Sequence, residues 1–82
     1  MALHSHQFVE SFRGFVGFGL DRESDENTLR YYLQKFSDDA LMETLLQRLS
    51  DAEIEALFDM LGRLLARHLS ESEYHHLFLK AR

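Results

Sequence analysis

The chain has no cysteine and no proline in its 82 residues. Without cysteine there is no disulfide framework, no thiolate nucleophile and no cysteine-ligated zinc or iron–sulfur centre, and a reducing compartment suits such a chain. No apolar run approaches the ~18–20 residues needed to span a bilayer. The start, MALHSHQFVE, lacks the basic head and apolar stretch of a signal peptide. The expectation is a soluble, cytoplasmic protein without membrane contact. Cations are also scarce: nine Lys and Arg face 14 Asp and Glu, for a net charge of −5. That field repels phosphate backbones and anionic lipid surfaces, so nucleic acid is a poor first partner.

What remains is ordinary globular material, 45% hydrophobic and 28% charged. At this length the chain reads as one small domain, residues 1–82, able to bury ~60–65% of the surface of its unfolded form. Residues 1–6 are expected to be disordered, as chain ends commonly are.

A short phrase recurs three times: FSDDALMETLL from Phe36, LSDAEIEALFD from Leu49 and LSESEYHHLFL from Leu69. Each sets an apolar residue, a serine and an acid ahead of a helical apolar pattern, which is how a helix start is written. Ser37, Ser50 and Ser70 are therefore expected N-caps. Ser50 with Glu53 and Ser70 with Glu73 have the spacing of full capping boxes. The serine intervals are unequal, so the phrase is punctuation and not a solenoid repeat.

Helical periodicity follows each cap. Ile54, Leu57, Phe58, Leu61, Leu64, Leu65 and Leu69 make an i, i+3, i+4 stripe over an expected helix 51–68, with acids early and Arg63 and Arg67 late, as the helix dipole prefers. Gly62 and Ala66, four residues apart on it, permit close approach of another helix. A helix over 38–49 presents Leu41, Met42, Leu45 and Leu46. One over 25–35, capped by Ser24 or Asp25, buries Leu29, Tyr32, Leu33 and Phe36 and leaves Tyr31 outside. A last one over 71–80 offers Tyr74, Leu77 and Phe78. No segment alternates with period two. The fold expected is all-α, a compact bundle of about five short helices in orthogonal packing.

The stretch SFRGFVGFGL, Ser11 to Leu20, holds three phenylalanines and three glycines in ten residues. Projected at about 100° per residue, Phe8, Val9, Phe12, Phe15 and Val16 share one stripe. The projection predicts an amphipathic helix ended by Gly17 or Gly19, weakened by its glycines and dependent on whatever its aromatic face touches.

Chemistry is sparse. His4 and His6 lie near the chain start, while His75 and His76 point about 100° apart on a helix, so no metal site is expected. Asp38 and Asp39 have a helix start to serve before any acid/base role. No nucleophile elbow or phosphate-binding glycine loop occurs, so neither enzyme activity nor a cofactor is expected. RYYLQK, Arg30 to Lys35, offers stacking rings and two cations for nucleic acid, but acids crowd just upstream. The function expected is a small, acidic, non-enzymatic interaction module, bound to another protein or to itself through Phe8, Phe12, Phe15 and Phe18. The alternative is nucleic-acid-linked regulation through Arg30, Tyr31 and Lys35.

Overall fold

The computed structural model describes residues 7–14 and 16–80, and among these all regular structure is helical. Helix α1 spans Gln7–Ser11, α2 Arg22–Phe36, α3 Asp39–Arg48, α4 Asp51–His68 and α5 Glu71–Glu73, the last running on into a π-helical turn, Tyr74–Phe78. The protein is all-α. The chain divides into two compact units, Met1–Gln47 and Arg48–Arg82. The expectation for residues 1–6 lies outside the described residues, as does Phe15.

The first unit departs most from its sequence pattern. Helix α1 stops at Ser11, whose hydroxyl donates back to the Gln7 carbonyl at 3.1 Å, and Phe12 closes the turn through its N–H to the Phe8 carbonyl. The described residues from Phe12 to Leu20 are irregular, not the long amphipathic helix that the stripe predicts. The cause is local. Phe12 folds its ring over Gly14 so closely that a Cβ there would lie 2.6 Å from it, and three glycines supply no helix-favouring side chain to resist. Gly19 does take a left-handed φ of +99°, but it ends this loop and not the helix.

Helix α2 starts earlier than expected because the cap is Asp21, not Ser24 or Asp25. Its carboxylate accepts the Ser24 N–H at 2.7 Å. Ser37 is a second correction. It ends α2, its hydroxyl donating to the Gln34 carbonyl at 2.7 Å, while Asp38 accepts the Leu41 N–H at 3.1 Å and so takes the capping role for α3.

Helix α2 is also turned over relative to its pattern. Ser24, Asp25, Asn27, Thr28, Tyr31 and Gln34 are covered or half-covered, whereas Leu29, Tyr32, Leu33 and Phe36 are exposed. Hydrogen bonds from the loop and α1 decide this. The Val9 N–H reaches the Gln34 side-chain oxygen at 2.8 Å, the Gly17 N–H reaches the Thr28 hydroxyl at 3.0 Å, and the Gly19 N–H reaches Asp25 at 2.8 Å. An irregular strand of chain carries unpaired backbone donors that need acceptors, and only the polar side of α2 offers them. The expectation that Tyr32 is core and Tyr31 exposed is therefore reversed.

In the second unit α4 follows its sequence closely, whereas the helix expected over 71–80 is the short α5 followed by the π turn Tyr74–Phe78. Helix α4 has the expected bounds, and both capping boxes are complete. Ser50 and Ser70 accept the N–H groups of Glu53 and Glu73 at 3.1 Å, and those glutamates accept the serine N–H groups at 2.9 Å and 2.8 Å. The C-terminal segment widens after Glu73. In its π turn the Leu79 N–H bonds the Tyr74 carbonyl five residues back, which stacks Tyr74 on Phe78 with ring centroids 5.3 Å apart.

Burial supplies the largest correction. The composition promises a packed core, yet among the described residues no apolar side chain is buried, and the single buried residue is Thr28, 5% exposed. The stripe of α4, read as core from its periodicity, lies exposed at Ile54, Leu57, Phe58, Leu61 and Leu64.

Candidate interaction surface

Of the four phenylalanines singled out from sequence, the structure brings two together. Phe8 and Phe12 stack at 4.7 Å, Phe12 tilts against Tyr31 at 6.2 Å, and the Arg30 guanidinium sits 4.9 Å from the centre of the Phe8 ring. Both rings are half-buried within their own unit. Phe18 stands apart, 74% exposed, in the loop before α2. Phe15 lies outside the described residues.

The RYYLQK segment is occupied with its own neighbours. Arg30 donates to the Asn27 side-chain oxygen at 2.7 Å as well as covering Phe8, and the Lys35 ammonium lies 5.5 Å from the Tyr31 ring centre. The Lys35 contact covers one face of Tyr31, while Tyr32 stays exposed.

Two acids of the first unit, Asp21 and Asp38, are bound into helix starts. Asp21 is held below the usual carboxylate value of 3.8 because its charged form accepts the Ser24 N–H and is further favoured by the Ser24 side chain. Asp38 is engaged by the Leu41 N–H. Among the histidines, His75 approaches Glu71 at 4.0 Å and meets Tyr74 edge-on at 5.8 Å. No group of three or more metal-ligating side chains forms among the described residues. His4 and His6 lie outside them.

An apolar groove belongs to the second unit. This groove, of about 860 Å³, opens between α4 and the C-terminal turn, lined on one side by Phe58, Leu61 and Leu65 and on the other by Tyr74 and Phe78. Gly62, Ala66 and Leu69 also line it. The polar groups at its edge are few, and Ser70 is already committed to its capping box. Small-molecule sites of this size fix their ligands with several converging polar groups, which this groove lacks. Its chemistry suits apolar side chains presented by a helix.

The sequence names the residues of this surface but reads them as core. Their exposure carries no local sequence signal, since one stripe serves equally for a core and for an interface.

No protein-family model, no curated protein and no solved structure matches the chain. The functional reading therefore rests on its own side chains.

Proposed function

We propose that the chain is a non-enzymatic protein-interaction module whose contact surface is the apolar face of α4 with the groove beside it. One observation carries this reading: a chain that is 45% hydrophobic keeps no apolar side chain of its described residues buried. A patch of that kind on a soluble chain is an interaction site or an aggregation hazard. The capping boxes and the ordered placement of charge make α4 a well-specified helix, which suits a surface built to dock.

The loop phenylalanines have a smaller part than their sequence suggests. Phe8 and Phe12 hold α1 on α2, and Phe18 is available as an accessory contact. No helix of the described residues is long and apolar enough to cross a membrane.

The test is site-specific capture. A photo-crosslinking phenylalanine analogue replaces Phe58 in the full chain, and a control carries it at Asp59 on the opposite side of α4. Cross-linking of a defined protein from Phe58 and not from Asp59 is the expected result. No specific product from Phe58, in a chain shown to be helical by circular dichroism, refutes the reading.

A further inference from the structure

We infer that the occupant of the α4 face is a second copy of this chain, its own α4 lying antiparallel to the first about a two-fold axis near Leu61. The inference rests on the interaction reading above and names its partner. The first support is the layout of the stripe. Counted outward from Leu61, the apolar positions fall at three and four residues on each side, at Phe58 and Leu57 one way and at Leu64 and Leu65 the other. Turning the helix about Leu61 lays Leu57 on Leu65 of the copy and Phe58 on Leu64, so one surface complements itself, as an isologous contact requires.

Charge selects the direction. At about 100° per residue, Glu53 and Arg67 flank the stripe on one side, and Asp51 and Glu55 flank it on the other. In an antiparallel pair like flanks meet, and Glu53 comes within two residues, about 3 Å of axial rise, of Arg67 in the copy. The symmetry makes that contact twice. In a parallel pair unlike flanks meet, and Glu53 then faces Asp51 and Glu55 of the copy, acid against acid.

The charged flank that directs the pairing lies clear of the groove. Tyr74 and Phe78 share the groove's lining with Gly62 and Ala66, whereas Glu53 and Arg67 are not part of it. Glu53 spends one carboxylate oxygen on the Ser50 N–H, and its other oxygen makes no hydrogen bond to the described residues.

The test uses the full chain, whose lack of cysteine makes any introduced thiol unique. Sedimentation equilibrium is expected to give twice the 9.7 kDa mass of one chain. Ile54→Cys and His68→Cys variants, which the two-fold axis sets opposite each other, are oxidised separately and as a mixture. A covalent dimer in the mixture alone supports the pairing. Covalent dimers of either variant by itself overturn it. Arg67→Glu changes an exposed side chain and is expected to weaken the dimer at least about tenfold at low salt, less as salt rises. An unchanged dimer overturns the charge argument and with it the antiparallel pairing. A strictly monomeric chain also overturns it. If the Phe58 crosslinker in that monomer captures a different protein, self-pairing fails while the interaction reading stands, and if it captures nothing both fail.

Discussion

Thr28 holds Gly17 by both of its backbone polar groups: the threonine hydroxyl accepts the Gly17 N–H at 3.0 Å and donates to the Gly17 carbonyl at 2.7 Å. This two-way clasp fixes the loop onto α2 at the one buried side chain of the described residues. Thr28→Val keeps the shape and removes the clasp, leaving two partly buried backbone groups without partners. The expected loss is ~1–3 kcal/mol for each group left unsatisfied, read by chemical denaturation and by faster exchange of the Gly17 amide. Thr28→Ser retains the hydroxyl and should preserve most of that protection.

Ser37, Ser50 and Ser70 share a sequence phrase but not a role, and alanine substitution should separate them. Ser50→Ala and Ser70→Ala each remove an N-cap and are expected to cost ~1 kcal/mol, visible as lost helicity by circular dichroism. Ser37→Ala touches only the end of α2 and should cost less. Asp38→Ala, which removes the acceptor for Leu41, should resemble the two true caps.

Asp21 makes the start of α2 sensitive to acid. Its carboxyl is lowered in the folded chain from 3.8, so the stabilisation it gives is present above that value and is lost as pH falls through the lowered one. Protection of the Ser24 amide should therefore be flat near neutrality and drop only in strong acid. Asp21→Asn keeps a neutral acceptor and should abolish the acid step.

Among the described residues two positions have left-handed backbone, with opposite consequences. Gly19, at φ +99°, should lose ~1 kcal/mol or more as alanine, although nothing crowds the added methyl. Lys80, at φ 58°, carries a side chain where helices usually end in glycine. Lys80→Gly is expected to relieve strain of up to about 1 kcal/mol and to raise the thermal midpoint of the C-terminal segment.

The second unit was legible because its instructions are local. A serine, a glutamate three residues on and a helical stripe specify α4 within its own eighteen residues and the cap just before them. The face of α2 was not legible, because its orientation is set by donors on Val9, Gly17 and Gly19, six to 25 residues away in sequence. Apolar spacing in α2 argues for one face, and the loop's hydrogen bonds impose the other. The Phe12 to Leu20 stretch misled for a related reason: projection on a helical wheel presumes a helix, and the wheel has no place for a ring lying over Gly14. For the candidate surface, sequence identified Ile54 to Leu65 as apolar and periodic but could not tell whether a neighbour lay within the chain or beyond it.

The wet state of these apolar side chains has a calorimetric signature. Heat capacity rises on unfolding in proportion to the apolar surface newly exposed, and single domains gain ~12–15 cal/mol/K per residue. A lone copy of this chain, whose described apolar side chains all keep some contact with water, has less left to expose and should melt with a smaller increment. Under the proposed self-pairing, concentrating the protein should then sharpen the transition and move it upward by mass action, whereas a monomer's transition should not depend on concentration.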